Sequence, residues 1–211
     1  ADRTSRSKIV TIENWGNIVW KDLSHAFSFP TNLTSIADDA GIPTFADNIN
    51  LEHMFTESPK FNADLSRWNM SQVQSTSHMF AKAIAFESDL SEWDVSNVTA
   101  MDFMFSHVKN FSSKLSKWNV SKVTTTEAMF FAATAFNSDV SAWNVSSVED
   151  MESMFAYASA FTGHDLSCWD ISSVREHNLI LGGAGTNNIE PLWDGSLCLA
   201  KQPIDFDTAF Q

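Results

Sequence analysis

The sequence predicts an α/β fold: a right-handed, leucine-rich-repeat-like solenoid with one short parallel strand and one helix per repeat of about 25 residues, closed by N- and C-terminal caps. The first observation behind this is a recurring motif. LSRWNMSQV, LSEWDVSNV, LSKWNVSKV, VSAWNVSSV and LSCWDISSV begin at Leu65, Leu90, Leu115, Val140 and Leu166, at spacings of 25, 25, 25 and 26 residues, the extra one placed at Gly163. The second is a matching series of Met-Phe pairs at Met54-Phe55, Met79-Phe80, Met104-Phe105, Met129-Phe130 and Met154-Phe155. A further phenylalanine follows each pair, at Phe61, Phe86, Phe111, Phe136 and Phe161. Self-similarity at a fixed period is the mark of a repeat architecture, in which one unit cannot bury its own apolar face but stacked neighbours can.

Each element follows from the apolar pattern. With the Leu/Val as position 1, the repeat reads L-x-x-W-x-V-x-x-V-x-x-M-x-x-M-F-x-x-A-x-x-F. The W-x-V stretch alternates, as a strand with one buried face does. The later stretch steps by three and four, as in Met101, Met104, Phe105, Val108 and Phe111, which keeps one helical face apolar. Thr99 with Asp102, and Thr124 with Glu127, have capping-box spacing for a helix start. Stacked strands form a parallel sheet on one side, helices line the other, and the crossover preference makes the coil right-handed. A single domain spans 1–211: an N-terminal cap with degenerate repeats over 1–50, five full repeats over 51–176 and a C-terminal cap over 177–211. In the degenerate part, Leu23, Ala26 and Phe27 take the M-x-x-M-F slots, and Ala40 to Phe45 the L-x-x-W-x-V slots.

Composition excludes several classes of partner. The net charge is −13, from 26 acidic and 13 basic residues, which opposes nucleic acid and anionic lipid, both of which need basic patches. No apolar run approaches the ~18 residues of a membrane helix, so direct membrane insertion is not expected. The opening ADRTSRSK lacks an apolar signal region, so a mature chain or a module of a larger protein, monomeric, is expected.

The string F-N-x-D-L-S-x-W-D-V-S-x-V-T-x-M-x-x-M-F-x-x-A resembles the BspA-like leucine-rich repeat family of bacterial surface proteins, earlier catalogued as a domain of unknown function. Phe61-Asn62 through Phe80 carry it, as does Phe86 to Phe105 without the Asn. IENWGNIVWKDLSHAF is similar to that family's N-terminal lead-in, and the likeness runs from about Thr11 to Glu176. It departs at Lys114, where the family has Asp, and in the tail over 177–211. Members look like cell-surface or secreted proteins, often modules of large adhesins. The resemblance therefore implies an extracellular or cell-surface location and adhesion or ligand capture, and supplies no agreed ligand-binding residues.

Each candidate site has a simpler structural role beside it. The tryptophans at 68, 93, 118, 143 and 169 occupy an inward slot and are expected to form a core ladder, not a sugar platform. The outward positions flanking them carry Arg67, Glu92, Lys117, Ala142 and Cys168, and then Asn69, Asp94, Asn119, Asn144 and Asp170. Arg67, Asn69, Glu92, Asp94, Lys117, Asn119, Asn144 and Asp170 form the candidate binding strip on the strand face; mutual cross-strand satisfaction is the simpler alternative. Asp64, Asp89, Asp139 and Asp165, with Lys114 between them, suggest calcium only weakly, since they sit a repeat apart, and turn capping suits them better. The six histidines form no zinc spacing, although His53 and His78 share a slot and should be neighbours. Phe103, Phe131 and Tyr157 lie off the apolar stripe, as a second contact patch or as ordinary packing. In a secreted protein, a disulfide between Cys168 and Cys198 would staple the C-terminal cap, worth about 3–4 kcal/mol; two unrelated thiols are the alternative. No catalytic or metal motif is present, so no enzyme, no metal and no cofactor are expected. The expected function is recognition of a protein, peptide or glycan, with a structural spacer as the alternative and a hydrolase a distant third.

Overall fold

The repeats lie one on top of another, each slot of the motif falling on the same slot of its neighbours. The computed structural model describes residues 7–185. Its strands are very short: β1 (Thr11–Ile12), β2 (Val19–Trp20), β3 (Ser35–Ile36), β4 (Thr44–Phe45), β5 (Ile49–Asn50) and β6 (Val73–Ser75). They pair in parallel as β1 with β3, β2 with β4 and β5 with β6. Single parallel bridges then continue the line from Ser75 through Ala100, Thr125 and Asp150 to Glu176.

The expected helix in each repeat is absent: among the described residues there are no helices, and the α/β leucine-rich-repeat-like assignment is overturned. The reason lies in where the backbone N–H groups go. Over Met101–Val108, Met104 N–H donates to Met101 O, Ser106 N–H to Phe103 O and Val108 N–H to Phe105 O, each closing a four-residue turn. The alternate donors leave the chain instead: Met101, Phe103, Phe105 and His107 N–H reach Thr125, Glu127, Met129 and Phe131 O of the next repeat at 2.7–3.1 Å. A helix would send every N–H four residues back along its own chain. Chained turns bring residues three and four apart to one side just as a helix does, so the apolar spacing could not separate the two.

This two-way bonding recurs in every unit from Leu23 N–H on Asn50 O to Tyr157 N–H on Gly182 O. It needs left-handed backbone at two places per unit, and φ is +48° to +65° at His25, Phe29, His53, Glu57, His78, Lys82, Phe103, His107, Ala128, Ala132, Ser153, Tyr157 and Leu179. Gly183 completes the second of these rows at +68°. None of these residues is β-branched or proline, the types that tolerate that region least. Thr99 and Thr124 do not cap helices. Their N–H groups extend the inter-repeat ladder to Gln74 O and Thr99 O.

The strand was also misplaced. Pairing falls one corner later than W-x-V, at Val73–Ser75 and its bridged equivalents, and W-x-V itself links two turns. Trp93 N–H closes the first on Leu90 O at 3.1 Å, and Val98 N–H the second on Val95 O at 2.9 Å.

The core is a set of aromatic columns. Phe27, Phe55, Phe80, Phe105, Phe130 and Phe155 stack at 5.6–5.9 Å between centroids, within 11° of parallel. A second column, Phe61 to Phe161, touches the first at 3.8–4.1 Å within each repeat. The tryptophans at 68, 93, 118, 143 and 169 are buried, as expected, and Trp93, Trp118 and Trp143 stack as a third column; Trp93, Trp118, Trp143 and Trp169 Nε1–H donate to Leu65, Leu90, Leu115 and Val140 O. Buried serines close the remaining gap, with Ser88, Ser113 and Ser138 Oγ accepting from Leu65, Leu90 and Leu115 N–H.

The N-terminal units break this regularity. Ala40, Pro43 and Phe45 fill the Leu, Trp and Val slots, and Pro43 has no N–H to close the first turn. Trp15 and Phe45 pack edge-on against Trp68 at 5.5 and 5.6 Å instead of stacking on it. Asn62 N–H bonds to Thr34 O, yet five residues separate Thr34 from Ala40 where two separate Asn62 from Leu65. The excess forms a bulge relative to the regular units, with Ala37 N–H on Ile12 O and a turn closed by Ala40 N–H on Ala37 O, and it lies beside Asp64, Arg67 and Trp68.

Candidate functional site

The strip residues lie on turn corners one repeat apart and not on a strand. Asn69, Asp94, Asn119, Asn144 and Asp170 each accept, through Oδ1, the N–H of the serine two residues on, at 3.0–3.2 Å. Asp64, Asp89, Asp139 and Asp165 do the same at the preceding corner, at 2.9–3.2 Å. These are Asx turns, for which a short side-chain acceptor two residues before a backbone donor is the requirement. The repeated (Asp/Asn)-x-Ser is their signature. The same bonds depress the acids: the Ser91 N–H holds the Asp89 carboxyl below the usual range, and bonds from Ser66 and Ser172 do so for Asp64 and Asp170. One oxygen of each corner carboxylate is thus committed to its turn, which is the structural role foreseen for Asp64, Asp89, Asp139 and Asp165.

Between the two Asx rows run Arg67, Glu92, Lys117, Ala142 and Cys168. Lys117 Nζ meets Glu92 Oε1 at 2.6 Å, with both side chains about 70% exposed, so the pair contributes little to stability. Arg67 is not part of that pairing. Cys168 is disulfide-bonded, and Cys198, the chain's other cysteine, lies outside the described residues.

Arg67 lines a cleft with Ile36, Ala37, Asp38, Gly41, Ile42, Asp64 and Trp68, beside the Ala37–Asp39 bulge. Sequence reasoning included Arg67 but missed Asp38. The length mismatch before Ala40 was the available signal.

A second array lies on the left-handed row. His25, His53, His78 and Phe103 stack face to face at 4.5, 4.3 and 4.6 Å between centroids. The slot shared by His53 and His78 was legible; His25 escaped because three more residues separate it from His53 than separate His53 from His78. His78 Nδ1 lies 3.4 Å from Asp102 Oδ2, and Thr56 Oγ1 lies 3.3 Å from His53 Nδ1. Burial, then the charges of His78 and His25, push the His53 pKa down. Burial raises Asp102, but bonds from His78 and Ser77 outweigh it and leave the carboxyl lowered. Glu127 is raised by burial and by Asp150 and Asp102 nearby. A metal bound by imidazole sits in the ring plane, and stacked planes share no such point. Among the described residues no group of three or more His, Cys, Asp or Glu is placed to hold a metal ion.

The aromatic residues off the apolar stripe divide. Phe103 ends the histidine stack, whereas Phe131 meets Tyr157 edge-on at 5.3 Å and leaves Tyr157 58% exposed. Among the described residues no helix is long and apolar enough to cross a membrane.

No curated protein and no solved structure matches the chain. A family model matches it twice, over residues 21–114 and 88–193, and the two segments overlap within the repeats. Together they cover most of the 211 residues, and the chain therefore belongs to the family described as Mycoplasma protein of unknown function, DUF285.

Proposed function

We propose that this chain is an extracellular or cell-surface binding and adhesion module that holds a protein, peptide or glycan along its corner strip. The observation that carries this is the pair of Asx-turn rows. They fix exposed side chains at one-repeat intervals on a backbone bonded to both neighbours, so a partner meets a surface with little left to order. The disulfide at Cys168 supports an oxidising, extracytoplasmic location. The resemblance of the repeat to BspA-like surface proteins supports adhesion. The acidic balance favours a partner other than nucleic acid or anionic lipid, and no cofactor is needed for recognition of this kind.

Glu92 and Lys117 satisfying one another favours a second reading, a structural spacer whose strip is self-contained. A glycan and peptide array, probed with and without calcium, separates the two. Under the binding reading some probe is retained, and its signal falls at least tenfold in the Glu92→Ala/Lys117→Ala double variant at unchanged melting temperature. Undiminished binding by that variant removes the strip from the reading, and an array without any bound probe favours the spacer.

A further inference from the structure

We infer that the cleft beside the Ala37–Asp39 bulge binds a small zwitterion with an apolar side chain, the chemical class of a free aliphatic α-amino acid. The inference rests on the reading of the chain as a ligand-binding module and adds a second, smaller site to it.

The lining sets the chemistry. Arg67 brings a guanidinium with a planar fork of donors suited to a carboxylate. Among the described residues it forms no ion pair within 4 Å, Lys117 having taken Glu92, and its charge helps to lower the Asp64 pKa across the cleft. Asp38 and Asp64 bring carboxylates: Asp64 is hydrogen-bonded by Ser66 at its turn, and Asp38 is exposed. A simple anion entering the cleft meets two carboxylates, and a simple cation meets the guanidinium. A molecule with both charges on neighbouring atoms satisfies both ends. Ile36, Ile42 and the rim of Trp68 supply the apolar remainder, and Ile42 is one of the few large apolar side chains left 43% exposed.

Shape narrows the class. The cavity is about 180 Å³, enough for one small molecule and too small for a folded partner. Trp68 is only 6% exposed, with Trp15 and Phe45 packed edge-on to it, so it offers no open face on which a sugar ring could stack. Gly41, at φ +76° with nothing within 4 Å of where a Cβ would stand, keeps the mouth open. At the corners of Trp93, Trp118 and Trp143 the extra residues are missing and the indoles stack on one another, so the cleft belongs to this junction.

Titration calorimetry of the full chain with L-leucine tests the inference, using N-acetyl-leucine, leucinamide and methyl glucoside as comparison ligands. Leucine should bind, and removal of either ligand charge should weaken binding at least tenfold. Arg67→Gln and Asp38→Asn should each do the same, with Lys109→Ala unchanged. No binding of leucine up to about 10 mM, on the weak side of millimolar affinity, overturns the inference, as does equal binding of leucinamide or a preference for the glucoside. The ligand series needs no folded variant, and circular dichroism of each variant guards the rest. Failure here leaves the array test of Glu92 and Lys117 standing, so loss of the cleft and loss of the strip are distinguishable.

Discussion

The regular stack from Leu51 onward and the N-terminal units before it are built from the same slots, yet they solve packing differently. In the regular stack, like falls on like: Trp93, Trp118 and Trp143 lie within 5° of parallel at 6.3–6.4 Å. In the N-terminal units Trp15 meets Trp20, Phe27 and Trp68 at 83–88°, and its Nε1–H is buried without an acceptor. Repetition lets one solution to backbone and indole bonding be copied. Where it stops, donors are orphaned and a cleft opens. The features that look able to recognise something small therefore sit at the mismatch, and those that look able to hold something long sit on the regular part.

The largest expected effect tests the copied packing. Phe105 touches Phe111 at 4.0 Å and sits between Phe80 and Phe130 at 5.7 and 5.6 Å. Phe105→Ala should cost about 3–5 kcal/mol, as buried Phe to Ala changes do. Phe27 has only one stacking neighbour, Phe55, and is partly buried, so Phe27→Ala should cost clearly less. Urea denaturation of both variants checks this, and equal losses would show that the two regions share one packing quality.

Indole bonding gives the next contrast. Trp118→Phe removes the 2.9 Å indole bond to the Leu90 carbonyl, which keeps only the Trp93 N–H, so about 0.5–1.5 kcal/mol should be lost in addition to the ring trim. Trp15→Phe removes an indole N–H that has no acceptor, which offsets the lost area. Melting temperatures of the pair should differ in that order, and the reverse order would contradict the bonding described for both.

How much of this was legible in the sequence depends on which interaction sets the period. The repeat, its stacking slots and the inward Trp column follow from side-chain identity at fixed spacing, and the sequence carries them openly. The helix did not survive because Met101, Met104, Phe105 and Val108 satisfy helical spacing and chained-turn spacing equally. The deciding fact, that alternate N–H groups bond to the next repeat, involves residues a whole unit away. A local clue was present: neither left-handed row contains Val, Ile, Thr or Pro. On the candidate strip, the pairing of Glu92 with Lys117 was readable from alternating charge. The cleft left only an indirect trace, the extra residues before Ala40, because what opens it is how two units of unequal length pack.

The left-handed rows yield a smaller, opposite effect. An L-residue pays about 1–2 kcal/mol there and glycine about none, although glycine loses more entropy on folding. Ala132, at φ +54°, should therefore gain about 0.5–1 kcal/mol on Ala132→Gly. Gly41→Ala, in the N-terminal units at φ +76°, should lose a similar amount although nothing crowds its Cβ. Denaturation midpoints read both, and a loss at Ala132→Gly would mean that the row is not strained.

The smallest effect concerns the seam between the regions, spanned by His25, His53 and His78. The His53 pKa lies below its ordinary 6.5 because of burial and its two histidine neighbours, with Glu52 and Asp102 opposing weakly. The unfolded chain therefore takes up this proton first. Stability is independent of the group above pH 6.5 and falls as pH drops through 6.5 toward the lower folded value. His107, also depressed by burial, acts in the same direction. Asp64, Asp89 and Asp102, lowered from 3.8, act in a separate and more acid window, where their stabilisation is lost as pH falls through the folded values. Glu127, raised from 4.5, acts oppositely, losing stability as pH rises from 4.5 through its folded value. His53→Phe keeps a ring in the stack, as Phe103 does one repeat on, and removes the proton. The variant should show a shallower fall in melting temperature on acidification just below pH 6.5, with the His107 share retained. An unchanged slope would mean that the stack tolerates the charge and that the seam between the two regions is no weaker in acid than the repeats on either side.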